Sequence, residues 1–418
     1  MIIQRGYKVE LDPTNEQVPG FAKACGIARF AYNWALHRKE AGFRERNLNR
    51  TVLSIKNELN RRKREEFPWM YEASKCVSEE ALWDLDEAYK KFFRHLKGDP
   101  KLGISMARFC KECNAMRFGR HFGARSFRSR RRGLGSFRID GSRVRVYADR
   151  IQIQTLGLVR LKERGYIPWE DVRILNATIS ERAGRWFVSV NVEQDIEVPS
   201  NDGPEVGMDL GLSTLATLSD RTTFENPKAL ARHGRKLERL QRAVSRKKKG
   251  CNNRRKAVQR LSRAHLRIAN SRKDFIHKMT TKISRGYSVI GMEDLKVKGL
   301  MRGNLARSLG DASLGEVRRQ LEYKTRLYGS RISIADQFYP SSQLCSNCGC
   351  RKPMTPHVRV YECLACGFVD NRDHNAAVNL EPSRLVAVGS PDTLNARQRP
   401  EVQTERLVPV DEARINGR

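Results

Sequence analysis

Two short runs limit what this chain can become. VGMDLG at 206–211 and IGMEDL at 290–295 each set a carboxylate, Asp209 and Glu293, in or at the end of an apolar, glycine-containing strand. A buried carboxylate without a partner costs several kcal/mol, so each must be neutralised, hydrogen-bonded or set against a cation. A third acid, Asp373, stands just before the small-residue run HNAAVNL at a helix start. With 84 residues from 209 to 293 and 80 from 293 to 373, the three can meet only through tertiary folding. Were they to meet, their repulsion would demand cations. Two Mg²⁺ ions about 4 Å apart would satisfy it and would clamp the attacking and leaving oxygens of a phosphodiester. Taken singly, each acid is as readily a capped or salt-bridged side chain, and Asp294 and Asp370 compete with their neighbours. Glu293 is preferred because it ends its apolar run, Asp373 because it directly precedes the helix start.

The cysteines give a sharper pattern. Cys345-x2-Cys348 and Cys363-x2-Cys366 are two knuckles with 14 residues between them. Each knuckle offers two thiolates to one ion, and two knuckles close a tetrahedral Zn²⁺ shell with no open position, a structural ribbon. Cys350 and His357 lack the knuckle spacing, and the pair Cys110-x2-Cys113 has no second pair nearby. The chain is long and starts without an apolar leader, so ten cysteines read as metal ligands and free thiols in a reducing cytoplasm, not as disulfides.

Charge decides the class of partner. Eighty Lys and Arg against 47 Asp and Glu leave +33, which favours a polyanion whose condensed counterions are released on binding. No stretch approaches the eighteen uncharged residues of a spanning helix, so no membrane role is expected. At 418 residues, several domains are expected.

Along the chain, residues 1–12 read as one strand and 13–115 as helical, with Leu82, Leu85, Tyr89, Phe92 and Leu96 forming a core stripe. Residues 116–200 carry short alternating runs (SRVRVYA, RIQIQTLGLVRL, VRILNATISE, RWFVSVNVEQD) that predict a small β-barrel or sandwich, which the first strand joins. The helical region is then an insertion in a β domain. Two basic helices follow at about 227–248 and 253–285, with a seam at Leu261, Ile268 and Phe275. Candidate phosphate contacts are Arg125, Arg128, Arg130, Arg131 and Arg132 in one basic run and Arg246, Lys247, Lys248, Lys249, Arg254 and Arg255 at the hairpin tip. Phe122, Phe127 and Phe137 read as barrel core before base-stacking.

VGMDLG, IGMEDL and DNRDHNAAVNL, with PSSQLCSNCG and YECLACG before the third, resemble the RuvC-type nuclease of the transposon-encoded TnpB family, relatives of the type V CRISPR effectors. GIARFAYNWAL, SRKDFIHKMTTKI and QLEYKTRLYG extend the resemblance over most of the chain. It implies an α+β multidomain protein: an RNase H-like (RuvC) nuclease at 201–340 and 370–381 with a zinc-ribbon insertion at 341–369. A wedge-type β-barrel (1–12 and 116–200) interrupted by a helical recognition domain (13–115), and a disordered tail at 382–418, complete it. It implies Asp209, Glu293 and Asp373 as the metal-holding triad, Asp209 bridging two Mg²⁺, and Cys345, Cys348, Cys363 and Cys366 holding one Zn²⁺. Many members have Asp where this chain has Asn371. The implied activity is RNA-guided cleavage of double-stranded DNA beside a short motif, with guide RNA and target DNA as partners, in a monomer acting at the prokaryotic nucleoid in the cytoplasm. An RNA-guided repressor without cleavage and a strand-transfer transposase are the alternatives. The actin-like kinases, which also open on GMDLG, need glycine-rich nucleotide loops absent here and no such charge.

Overall fold

The computed structural model describes all residues except 47–49, 97–108, 111–114, 117–127, 129–134, 356 and 388–418. The described residues divide into two compact units, one holding Ile3–Gln194 and the other Met1–Ile2 and the described residues from Asp195 to Ala387.

In the first unit, β1 (Ile2–Asp12) leads into α1 (Gln17–Arg46), α2 (Val52–Lys63) and α3 (Lys75–Leu96). Two two-residue strands pair next, β2 (Phe109–Cys110) with β3 (Ala115–Met116), across the end of the stretch 13–115 expected to be helical. Then come β4 (Ser136–Asp140), β5 (Val144–Val146), β6 (Arg150–Ile153), β7 (Gly157–Leu161), β8 (Arg173–Arg182) and β9 (Arg185–Asp195). Strand alternation is clean in this region: Val188, Val190 and Val192 of β9 are fully buried while their neighbours are not. The seven strands form one sheet in the order β4-β8-β9-β1-β7-β6-β5, so the first strand of the chain sits in mid-sheet, between elements from much later in the sequence. Leu82, Leu85 and Tyr89 of α3 and Phe137 of β4 lie in one apolar cluster with β1, α1 and the sheet.

The second unit is built on β10 (Glu205–Leu210), β11 (Thr214–Leu218) and β12 (Thr223–Glu225), then α4 (Ala229–Ser245), α5 (Asn252–Gly286) and β13 (Val289–Glu293). Short α6 (Val297–Leu300) and α7 (Ala306–Ala312) precede α8 (Leu314–Tyr328) and β14 (Arg331–Ala335). The chain continues through β15 (Val360–Glu362), β16 (Val369–Asn371), α9 (Arg372–Asn379) and α10 (Pro382–Ala387). The last element corrects the expected tail, because residues 382–387 are helical and Leu385 packs with Leu380 and Ala335. The rest of that tail lies outside the described residues. The strand after the second knuckle runs from Val369 to Asn371.

The sheet order is β12-β11-β10-β13-β14. The first three strands are an antiparallel meander, whereas β13 and β14 run parallel to β10. Val206, Met208, Ile290 and Met292 are buried in its core, each contributing roughly 1.5–3 kcal/mol by burial. In the basic hairpin, Ile268 of α5 packs with Ala229 and Leu237 of α4, and Leu261 lies against them. Phe275 of the expected seam packs instead on the main core, because α5 outruns its partner and meets the sheet.

Candidate carboxylate and cysteine sites

Asp209 and Glu293 arise from one piece of geometry. In the parallel pair β10–β13, Met208 is in register with Met292, and the acids are the next residue on each strand. Both therefore stand at the carboxyl ends of neighbouring parallel strands, where ligand crevices of open sheets form. The third acid comes from α9. Asn371 caps that helix, its side-chain oxygen accepting from the Asp373 N–H at 2.9 Å and the His374 N–H at 3.3 Å. Asp373 thus lies in the first turn, where the helix dipole favours an anion. Asn371 acts as the cap of this helix.

The three acids share one field. Burial, then the charges of Glu293 and Asp373, push the Asp209 carboxyl up from the usual range to about 7, against the opposing charge of Arg372 and a backbone hydrogen bond at Leu210. Asp209 itself is only half-buried in solvent exposure, so the acid neighbours count beside the enclosure. Their oxygens are not packed onto a single point: among the described residues, only the cysteine cluster brings three or more His, Cys, Asp or Glu ligand atoms all within 4.8 Å. Asp373 has a cation partner, Arg359 Nη1, 3.6 Å from its Oδ2. The Glu293 Oε1 accepts a short hydrogen bond from the Ser341 hydroxyl. In donor chemistry, three negatively charged carboxylates are the ligand type that hard divalent cations such as Mg²⁺ take.

The rival acids are occupied elsewhere. Asp294 pairs closely with Arg318. Asp370 is bonded to His374 Nδ1 at 2.5 Å and lies 3.6 Å from Arg221. Although burial works to raise its carboxyl, the His374 bond, the Asn371 N–H and Arg221 outweigh it and hold the group below the usual range.

Sequence reasoning missed two glycines and a serine. Gly207 and Gly291, each two residues before an acid, are in register. A Cβ at Gly207 would lie 1.9 Å from the Ala377 carbonyl oxygen, and one at Gly291 would lie 1.8 Å from that of Leu380. They let the backbone of α9 and of Leu380 just beyond it rest directly on the sheet, which brings Asp373 toward the other acids. The repeated Gly-Met before Asp209 and Glu293 was the signal. Ser341 carried no comparable signal, since its partner lies 48 positions away.

The four cysteines do converge. Cys345 Sγ lies 3.7 Å from Cys366 Sγ, and Cys348 Sγ lies 3.6 Å from Cys363 Sγ. Sulfurs about 2.3 Å from a central ion form a tetrahedron with edges of about 3.8 Å, so the set fits one tetrahedral cation and excludes disulfides. Each knuckle turns at a glycine in the left-handed region, Gly349 (φ 74°) and Gly367 (φ 72°). The thiols share their protons unevenly: the Phe368 N–H and the Asn347 amide bring Cys366 down to about 6, burial raises Cys345, and, against a backbone hydrogen bond at Cys350, bonds to Cys366 and Cys363 raise Cys348. Buried Tyr361 fills the ribbon core and donates to the Gln343 carbonyl at 3.2 Å.

The basic candidates separate. Arg125, Arg130, Arg131 and Arg132, with Phe122 and Phe127, lie outside the described residues. Arg128 is engaged internally: it pairs with Asp84 at 3.1 Å and its guanidinium stacks 3.9 Å from the Tyr32 ring. At the hairpin tip, Arg254 donates to the Val244 and Lys247 carbonyls and so closes the end of α4. Arg246, Lys247, Lys248, Lys249 and Arg255 are exposed there.

A protein named "Putative RNA-guided DNA endonuclease" from Streptomyces pristinaespiralis is 32% identical over 405 residues, 95% of this chain and 93% of its own. The chain belongs to the TnpB family. A namesake from Escherichia coli (strain K12), InsQ, is 29% identical over 90% of this chain and 91% of its own. Within this TnpB chain, a family described as "Probable transposase" matches residues 187–304 and the "Cas12f1-like, TNB domain" matches 315–380, spanning the acids and the ribbon. A "Helix-turn-helix domain" matches residues 1–47, where the described residues form one strand and one long helix, β1 and α1. Among solved structures, a "mini-RNA-guided endonuclease CRISPR-Cas_phi3" covers 93% of each chain at 9% identity and a TM-score of 0.43. No helix among the described residues is long and apolar enough to cross a membrane.

Proposed function

We propose that this TnpB protein is an RNA-guided DNA endonuclease. It carries a guide RNA from its own transposon, recognises a short motif beside the target, and hydrolyses double-stranded DNA at Asp209, Glu293 and Asp373. The observation that carries the chemistry is the placement of the acids, Asp209 and Glu293 side by side at the ends of the parallel strands β10 and β13 and Asp373 in the first turn of α9. Two relatives covering nine-tenths of the chain bear the endonuclease name. The charge of +33 suits a protein that must hold a folded RNA and an RNA–DNA hybrid by their backbones while base pairing reads the sequence.

In this reading the mixed sheet β12-β11-β10-β13-β14 with α9 on it is the RNase H-like, RuvC-type core, and the cysteine segment is its zinc ribbon. The seven-stranded sheet is the wedge-type barrel, and α1–α3 belong to the recognition domain. Zinc held by four thiolates has no open position and organises the ribbon without reacting.

The chain's own part in cutting is to concentrate and aim negative charge. Asp209 on β10 and Glu293 on β13 are fixed by strand register, and Asp373 is fixed by the cap and packing of α9. These three carboxylates would hold Mg²⁺, which would supply Lewis acidity for activating water and for stabilising the leaving 3′ oxygen. Arg359 lies at the Asp373 end of the cluster and limits that acid's freedom.

Purification followed by sequencing of bound RNA tests the reading. A discrete RNA from the 3′ flank of the coding region is expected, with Mg²⁺-dependent cutting of DNA matching its guide. Asp209→Ala is expected to retain the RNA and lose the cutting. Heterogeneous RNA, or an Asp209→Ala protein that cuts like wild type, refutes it.

A further inference from the structure

We infer that Ser341 is a positioning residue for Glu293, and that through it the segment leading into the cysteine ribbon sets the geometry of the acid cluster. The inference rests on Asp209, Glu293 and Asp373 being the metal-holding set. Ser341 is 2% exposed, and its hydroxyl donates to Glu293 Oε1. A glutamate side chain has several free torsions, so a donor fixed in the wall decides where its oxygens stand.

The donor is itself fixed, and by the helix that carries the third acid. Asn379 of α9 donates its amide to the Ser341 carbonyl at 2.9 Å and the Leu344 carbonyl at 2.8 Å. Asn375, one turn earlier, donates to the Leu344 carbonyl at 2.7 Å and accepts from the Ser346 N–H at 2.9 Å. Both asparagines are buried. Tyr339 closes the arrangement by donating its hydroxyl to the Asn379 carbonyl at 3.1 Å. The segment 339–346 is thus held along α9 by main-chain acceptors and one main-chain donor, leaving the Ser341 hydroxyl for Glu293. Cys345, the first thiol of the ribbon, lies in the same segment. The acids of β13 and α9 are therefore indexed to one another by a stretch of chain that belongs to neither.

Because the α9 contacts to residue 341 use its carbonyl, Ser341→Ala deletes only the bond to the carboxylate. The zinc-loaded full chain, stripped of nucleic acid, can be titrated with Mn²⁺ while free Mn²⁺ is followed by its electron paramagnetic resonance signal. Wild type is expected to show a site that Glu293→Gln removes. Ser341→Ala is expected to weaken that site about tenfold with zinc content unchanged, as for other residues behind a metal ligand. Ser342→Ala, one residue along, is expected to bind Mn²⁺ as wild type does. An unchanged Mn²⁺ titration for Ser341→Ala overturns the inference. A weakened one accompanied by zinc loss also overturns it, since the hydroxyl would then hold the ribbon segment and not the carboxylate. If Glu293→Gln leaves Mn²⁺ binding untouched, the metal-site reading itself fails and the positioning role falls with it.

Discussion

Asp209→Asn separates the electrostatic argument from the activity. In the metal-free protein the Asp209 carboxyl stands at about 7, against an ordinary value of 3.8. Its folded pKa is raised, so between these two values the native state binds more protons than the unfolded chain. Stability from this group is present at low pH and is lost as pH rises toward 7. A shift of about 3 pH units has a ceiling of about 4 kcal/mol. Partial exposure and salt screening bring the expected effect to roughly 1–2 kcal/mol. Asparagine carries no charge at any of these pH values. The variant is therefore expected to unfold about 2–8 °C higher than wild type at pH 8, at roughly 2–4 °C per kcal/mol for a unit of this size. The gap should shrink toward pH 5. Differential scanning calorimetry of the zinc-loaded, Mg²⁺-free proteins from pH 5 to 8 reads this directly. Adding Mg²⁺ is expected to raise the wild-type transition and close the gap, because a ligand bound only by the native state stabilises it. Melting curves that run parallel across the whole pH range would show that Asp209 is not held in a repulsive field.

Other substitutions probe the rest of the design. Cys363→Ser is expected to release the zinc, read as a fall from one ion per chain to none with a chromogenic chelator, and to lower the melting temperature. Gly291→Ala forces a methyl against the Leu380 carbonyl and is expected to leave little soluble protein. Gly234→Ala, in open space on α4, is expected to stabilise by about 0.5–1 kcal/mol in urea unfolding. Replacing Lys247, Lys248 and Lys249 with alanine is expected to weaken RNA binding without changing which RNA is bound. The slope of log K against log salt should fall by up to about 3.

Local pattern announced the elements. Period-two alternation marked the strands from 142 to 195 nearly residue by residue, since each buries one face against a single core. The basic helices were equally legible, expected at 227–248 and 253–285 and found at Ala229–Ser245 and Asn252–Gly286. The region expected to be helical up to 115 was less so, because α3 ends at Leu96 and two short paired strands follow. The helix at 382–387 was hidden because six residues show no periodicity, and their order comes from packing Leu385 on Leu380.

The sequence by itself determined which groups have chemistry to offer: two thiol knuckles, three acids at element ends, and a surplus of positive charge. Knuckle spacing is a local property, so four cysteines could be assigned to one ion before any fold was known. The acids are different, because nothing in 84 and 80 intervening residues says how far apart two carboxylates finish. That was decided by strand register beside Met208 and Met292, by two glycines that admit a helix backbone onto the sheet, and by a buried serine. Their effects are long-range contacts between surfaces, and a linear pattern carries the surfaces without the contact.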